Sequence, residues 1–302
     1  MVVKNNLIIV RYGEISLKSN YVRKKFENIL IKNIKNALKS KEIDYEIKKE
    51  RGRIFVYTIN INDSLKILKR IFGIVSFSPC VKIDSNIEDM SEIAISYAET
   101  NLKKDMSFAI RTKRTGEHSF TSQEVSIKIG NDIVENFKSK VDLTNPDYEI
   151  FIDIREKNTY IFDKKIKGPG GIPVGSQDKV LSIINDDFSL LSTWHLLSRG
   201  CKILFFVSKD FSLSKLESFC KNWFIKNNFL FFDENDDFYI KINEISKEKR
   251  CKAVVSSIYD LEKNVEDIKK FKRNIESPVL YPLISMDKEE INETIRNKGQ
   301  GL

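Results

Sequence analysis

Between Gly168 and Gly200 the chain reads GPGGIPVGSQDKVLSIINDDFSLLSTWHLLSRG. The order is a glycine-rich turn, an apolar run, a polar loop, and a helical segment running to Arg199-Gly200. Such a strand–loop–helix can hold a phosphate, because the free N–H groups and partial positive charge of a helix N-terminus attract anions. Here the loop, Ile184-Asn185-Asp186-Asp187-Phe188-Ser189, has no glycine and two adjacent carboxylates. A carboxylate 4 Å from a phosphate charge costs about 1 kcal/mol in bulk water and about 4 kcal/mol where the effective dielectric constant falls to roughly 20. Asp186 and Asp187 can cap the helix or hold Mg²⁺. No third oxygen ligand is apparent, and capping is the reading adopted.

The other chemistry-bearing side chains are few. The cysteines, at 80, 201, 220 and 251, form no C-x-x-C pair. They read as reduced packing thiols, and no zinc or iron–sulfur pattern is legible. Cys201 begins a strand and Cys220 lies in a helix. Cys251 follows Lys249-Arg250, a setting that would favour its thiolate, yet packing is again the reading, and no residue is assigned a catalytic role. His118 and His195 are the only histidines; His195 lies on the helix after the loop, where a surface or capping role is expected. Cations are plentiful. Arg11, Lys18, Arg23, Lys24 and Lys25 gather at the first strand–helix junction, Arg51 and Arg53 flank Gly52, and Arg111, Lys113 and Arg114 sit just past a strand. Lysine and arginine grip phosphates without reading base sequence, which suits a folded RNA. Tyr12 and Phe120 are stacking candidates, with packing as the default reading.

The elements that must position these residues follow from periodicity. Leu7–Tyr12 is an apolar strand. Phe26, Leu30, Ile34 and Leu38 recur every four residues and predict a helix over 19–40. Strands at 45–47 and 53–59, a helix over 64–71 capped by Ser64, and a strand at 75–82 complete a strand–helix–strand–strand–helix–strand order, the ferredoxin-like arrangement. A second unit has helices at 91–102 and 122–138, a strand at 107–112, and a hairpin from 148–154 and 159–162. From Lys179 strands (180–184, 202–207, 238–242, 253–256, 279–283) alternate with helices (189–198, 213–227, 261–273, 288–297), which predicts a mostly parallel sheet covered on both faces. The fold class expected is therefore mixed, α/β and α+β. Domains are expected at 1–80, 81–168 and 169–302.

Bulk properties agree. The 302 residues are 41% apolar and 31% charged, and the net charge is +8. Residues 1–80 hold 17 Lys and Arg against 7 Asp and Glu, residues 81–168 hold 14 against 16, and residues 169–302 hold 20 against 20. The excess lies in the first quarter, which predicts a polyanionic partner there, nucleic acid before membrane. No run approaches the ~18 apolar residues of a membrane span, and the opening segment does not read as a signal peptide, so a cytoplasmic protein is expected.

Four stretches, in order along the chain, resemble the tRNA 4-thiouridine sulfurtransferase family. They are Val10-Arg11-Tyr12-Gly13-Glu14-Ile15-Ser16-Leu17-Lys18 with Arg23-Lys24-Lys25-Phe26-Glu27; Arg111-Thr112-Lys113-Arg114 with the helix from Ser122; Gly168 to Gly175; and Val279 to Glu290. The resemblance implies a ferredoxin-like domain, a THUMP domain that binds tRNA, a Rossmann-like PP-loop domain of the adenine nucleotide alpha hydrolase kind, and a homodimer. Family members carry S-G-G-x-D-S where this chain has residues 184–189, so only Ser189 remains from that nucleotide-binding loop. The last domain also lacks a glycine turn at Ala253–Asp260 and ends soon after its final helix. Two readings follow. In the first, the protein binds tRNA, has lost ATP-dependent adenylation and sulfur transfer, needs no cofactor, and supports a separate tRNA-modifying enzyme. In the second it is an active sulfurtransferase that uses ATP and Mg²⁺ to make 4-thiouridine in tRNA.

Overall fold

In the computed structural model, residues 5–50, 52–233 and 237–298 are described. They form two compact units. One contains the described residues up to 11 together with 38–67 and 76–167; the other contains 12–37, 68–75 and the described residues from 168 onward.

The first unit is built on one sheet. Its strands are β1 (Leu7–Arg11), β2 (Glu46–Glu50), β3 (Arg53–Tyr57), β4 (Ser76–Asp84), β5 (Phe108–Thr115), β6 (Tyr148–Arg155), β7 (Asn158–Phe162) and β8 (Ile166–Lys167), in the order β2-β3-β1-β4-β7-β6-β5, with β8 on β4. With α1 (Asn20–Lys39), most of which belongs to the second unit, and α2 (Ile61–Leu68), the first four strands follow the ferredoxin-like order in sequence, and the strands lie in its spatial order β2-β3-β1-β4. β4 is nine residues long: its first half pairs with β1 and its second with β7, so the 80/81 division falls inside a strand. α3 (Ile87–Asn101) and α4 (Ser122–Phe137) pack on the isoleucine-rich face of β5–β7. Both helix starts are explained by their caps. Asn86 accepts from the N–H groups of Glu88 and Asp89, and Thr121 with Glu124 forms a reciprocal capping box.

The opposite face of this sheet is also buried, which requires the sheet to coil. Phe55 on β3 stacks on Tyr160 on β7 with ring centroids 4.7 Å apart, although β1 and β4 lie between them. In a flat sheet three strand spacings would separate them by about 14 Å. The fold over β4 closes Leu7, Ile9, Phe55, Cys80, Tyr160 and Phe162 into one core.

The second unit carries a parallel sheet: β9 (Lys179–Ile184), β10 (Lys202–Ser208), β11 (Phe229–Phe232), β12 (Val254–Val255) and β13 (Val279–Leu280), ordered β11-β10-β9-β12-β13. Its helices are α5 (Asp187–Ser198), α6 (Leu213–Asn222), α7 (Phe238–Glu248), α8 (Val265–Asn274) and α9 (Lys288–Lys298). Buried clusters lie on both faces of the sheet, as the alternation predicts. The glycine-rich junction is a packing device. A Cβ on Gly171, at φ +68°, would sit 2.1 Å from the Ser198 carbonyl oxygen, and one on Gly168 would sit 2.2 Å from that of Ile74. Only glycine permits either approach.

Several predicted elements are corrected. Phe238–Ile242 is the start of α7, not a strand: Phe238, Tyr239, Ile242 and Ile245 recur at helical spacing and pack on one cluster. The strand belonging there is β11, an aromatic run after a helix that ends earlier than expected, because Phe224 turns the chain with φ +54°. α2 begins three residues before Ser64, which lies inside the helix rather than at its cap. α3 begins at Ile87 rather than Ser91, whose hydroxyl donates to Asp132 across to α4. α8 begins at Val265 rather than Leu261.

Candidate functional site

The β9–α5 loop is built from a buried strand and a capped helix. β9 is buried from Val180 to Ile184, and the chain surfaces at Asn185, Asp186 and Asp187. Asp186 is extended and serves as the N-cap of α5, its carboxylate accepting from Ser189 N–H at 2.7 Å. Ser189 is fully buried, and its hydroxyl donates to the Asp186 carbonyl. The remaining Asp186 oxygen faces the Ser257 hydroxyl at 3.5 Å. Asp187 pairs with Lys215 at 2.5 Å, in a partly exposed contact. The helix N-terminus thus has an internal anion on one of its first amides, the role expected of Asp186.

This loop stands at a topological switch point. From β9 the chain winds outward to β10 and β11, then returns to place β12 and β13 on the other side. Ligands of open parallel sheets bind outside the carboxyl ends of the strands at such a crevice. A cavity of about 570 Å³ opens there, lined by Asn185 and Asp186, by Ser256 and Ser257 after β12, and by the rings of Tyr239 and Phe271 among others. Asp267 also lines it, and among the described residues no lysine or arginine does. Among the described residues no group of three or more His, Cys, Asp and Glu is placed to hold a metal ion.

Cys80, Cys220 and Cys251 are buried and Cys201 is half-buried, and burial raises every thiol. Cys80 and Cys220 are pushed up to about 12. Cys201 and Cys251 are also raised. At Cys251 the cation that favours the thiolate is Lys179, distant in sequence, and burial outweighs it. His195 occupies the last turn of α5, about 12 Å along the helix from the loop at 1.5 Å per residue, so it does not face the loop. The Nε2 of His118 lies 2.6 Å from the Glu156 carbonyl oxygen.

The predicted cationic residues fall into distinct settings. Lys18, Lys24 and Lys25 are exposed around the start of α1. Arg23 donates to Asn20. Tyr21, 80% exposed, and Leu17, 87% exposed, stand among them; neither was singled out by sequence reasoning, because exposure is not encoded in a residue's type. Tyr12, by contrast, is buried and donates to Glu27, so it is not available for stacking. Arg11 is largely buried. It donates to the Ser78 hydroxyl at 2.9 Å, lies 4.6 Å over the Phe162 ring, and is lowered to about 10 by burial and by Arg53. The register Val10↔Ile54 puts Arg53 beside it. Arg53 and Arg155 approach the buried carboxylate of Asp153 at 3.8 and 3.1 Å. Arg51 lies outside the described residues.

β5 runs on to Thr115, so Arg111, Lys113 and Arg114 lie within a strand rather than past it. Arg111 pairs with Glu149 at 2.7 Å and donates to the Leu143 carbonyl. Lys113 is exposed, and Arg114 donates to the Gly116 carbonyl. Phe120 packs against the edge of the α3–α4 core and the His118 ring.

The ThiI ferredoxin-like domain matches residues 7–78 and the THUMP domain matches residues 84–163. A probable tRNA sulfurtransferase of Methanobrevibacter smithii is 30% identical over 97% of this chain and 86% of its own. The crystal structure of PH1313 from Pyrococcus horikoshii Ot3 superposes with a TM-score of 0.84 at 31% identity, covering 97% of this chain and 99% of that one. A 4-thiouridine synthetase crystallised with RNA and bound ATP shares the fold, with a TM-score of 0.80 at 22% identity over 98% of this chain and 86% of its own. No helix among the described residues is long and apolar enough to cross a membrane. Its two amino-terminal domains, its parallel-sheet domain and its full-length relatives together place the chain in the tRNA sulfurtransferase family.

Proposed function

We propose that this protein binds tRNA and that its last domain no longer carries out ATP-dependent adenylation and sulfur transfer. The observation that carries this reading is the Asp186 carboxylate seated on the Ser189 amide at the start of α5. A triphosphate docking there would have to displace that carboxylate and lie beside Asp187. Each contact opposes it by about 1 kcal/mol at 4 Å in water, and more in a crevice. The residues present therefore do not fit ATP, and no catalytic step is routed through it. Raised thiols at Cys80, Cys201, Cys220 and Cys251 argue the same way, since sulfur transfer by cysteine requires the thiolate.

The tRNA side of the reading draws on the THUMP match and on the relative crystallised with RNA. Lys18, Lys24, Lys25 and Lys113 are exposed cations, with Tyr21 available to stack on a base. A cytoplasmic homodimer that presents tRNA to a separate modifying enzyme completes the reading. The competing reading, an active ATP-dependent sulfurtransferase making 4-thiouridine, draws on the cavity beside Asn185. Calorimetric titration with ATP, with and without tRNA, separates the two. No ATP heat, together with tRNA binding that weakens steeply with salt, is expected. Saturable ATP binding with 4-thiouridine formed in the tRNA refutes the loss of activity.

A further inference from the structure

The amino-terminal edge of the parallel sheet carries the reverse chemistry of its carboxyl edge. A groove of about 910 Å³ opens there, and five lysines line it: Lys32 from α1, Lys179 and Lys202 at the first positions of β9 and β10, Lys226 after α6, and Lys249 after α7. Asparagines and apolar side chains make up the rest of the lining, and among the described residues no Asp or Glu contributes. Lysines at this edge also have an ordinary role, because it is where helix C-termini gather and cations complement their carbonyls. Two of the five have partners. Lys179 donates to the Lys249 carbonyl at 2.9 Å, and Lys249 pairs with Glu248 at 2.6 Å. Lys32, Lys202 and Lys226 are exposed, and no anionic partner is recorded for them among the described residues.

Side chains around the groove are tied to their neighbours. The Asn33 side chain donates to the Val174 carbonyl at 3.0 Å on one wall. On the other, Trp223 stacks on Phe72 at 4.9 Å and meets Trp194 edge-on at 5.7 Å. Lysines recessed in a concavity with exposed amides (Asn36, Asn227, Asn228) suit a curved chain of phosphates better than a bilayer, which presents a broad surface and cannot enter. Amides add donors and acceptors for sugar hydroxyls without adding charge.

The geometry points to this groove as a second docking surface for the phosphodiester backbone of RNA, gripped by Lys32, Lys202 and Lys226. The inference rests on the tRNA-binding reading and places part of the contact, at Lys202 and Lys226, within residues 169–302, whose 20 Lys and Arg against 20 Asp and Glu gave no hint of it. The test is fluorescence anisotropy of the full-length protein with unfractionated labelled tRNA across a KCl series. The wild type is compared with the triple variant Lys32→Gln, Lys202→Gln, Lys226→Gln, and with Lys24→Gln, Lys25→Gln as a reference for the amino-terminal cations. Three lost phosphate contacts are expected to lower the slope of log affinity against log salt by about 2 to 3, with the melting temperature unchanged. A triple variant with the wild-type slope and affinity overturns the groove assignment, while the Lys24/Lys25 variant still reports on the amino-terminal site. Wild-type protein that binds no tRNA defeats the tRNA reading and the groove with it. Triple-variant loss of binding to phosphatidylserine vesicles, with tRNA binding intact, also overturns the assignment.

Discussion

If the Asp186 and Asp187 carboxylates are what bar a phosphate from α5, removing them should admit one. The double variant Asp186→Gly, Asp187→Asn is the sharpest perturbation. Glycine at an N-cap costs only a few tenths of a kcal/mol relative to the side-chain caps, so α5 keeps its start while the Ser189 amide is released. Asparagine at 187 removes an ion pair whose partners are 57% and 42% exposed, a contact that contributes at most about 1 kcal/mol. It also leaves Lys215 beside the loop without its counter-charge. Two charges at about 4 Å are worth about 1 kcal/mol each in bulk water, and the loop is exposed enough that about 2 to 4 kcal/mol in total is the reasonable span. The predicted gain in affinity for ATP or tripolyphosphate is therefore roughly 30- to 700-fold, read by isothermal titration at low salt beside a thermal melt that checks the fold. A wild-type protein that binds ATP as tightly as the double variant refutes the electrostatic argument, since the carboxylates would then oppose nothing.

Other consequences are more direct. Lys24→Glu with Lys25→Glu reverses two exposed charges at the start of α1; tRNA affinity should fall at least tenfold, with the melting temperature within a degree or two of wild type in a thermal shift assay. Gly171→Ala places a Cβ 2.1 Å from the Ser198 carbonyl oxygen at φ +68°, and denaturant unfolding should show a loss of about 2 kcal/mol or more. Burial holds Cys80 and Cys220 up at about 12 and raises the other two thiols, so iodoacetamide at pH 8 should label the native protein far more slowly than the urea-unfolded chain. A single fast-reacting thiol in the native protein would reopen the case for a sulfur carrier. Removing residues 169–302 strips α1 of the Asn33–Val174 bond and of the walls around Lys32; the fragment should bind tRNA with a shallower salt dependence than the whole chain, whereas equal slopes would confine the RNA contact to the amino-terminal cations.

What the sequence could reveal was local. The four-residue rhythm of Phe26, Leu30, Ile34 and Leu38 and the Thr121–Glu124 box each declare their helix through neighbours in the chain, and the buried runs of β1, β9 and β10 declare their strands. Errors came where a short aromatic-rich segment satisfies two periods at once. Phe238-Tyr239-Ile240 has strong strand propensity, but α7 is decided by the cluster it covers, and the strand passed to the aromatic run before it. The Asp186 cap was legible because a cap is a three-residue relationship. The lysine groove was not, because its cations are separated by up to 217 positions in the chain, from Lys32 to Lys249, and only the return of the parallel strands brings them to one edge. Arg11 misled for the opposite reason: its charge suggested a surface, while the coiling of the sheet over β4 put it against Ser78 and Phe162.

The two edges of the parallel sheet make a single electrostatic argument. A parallel sheet wrapped by helices is polar by construction, with helix N-termini and their exposed amides at the carboxyl edge of the strands and helix C-termini at the other. A nucleotide site uses the first edge because that is where the backbone itself is positive. In this chain Asp186 supplies the anion to α5, and the cavity beside it holds Asp186 and Asp267 with no cation among the described residues. The intrinsic attraction for phosphate is thereby spent within the protein. At the other edge the backbone is negative, so any positive potential has to come from side chains, and five lysines supply more than the helix ends take up. Reversing the natural polarity at both edges discourages a triphosphate at the switch point and leaves the opposite side open to a polyanion. Helix capping alone explains the first edge; it does not explain three uncompensated lysines facing one groove at the second.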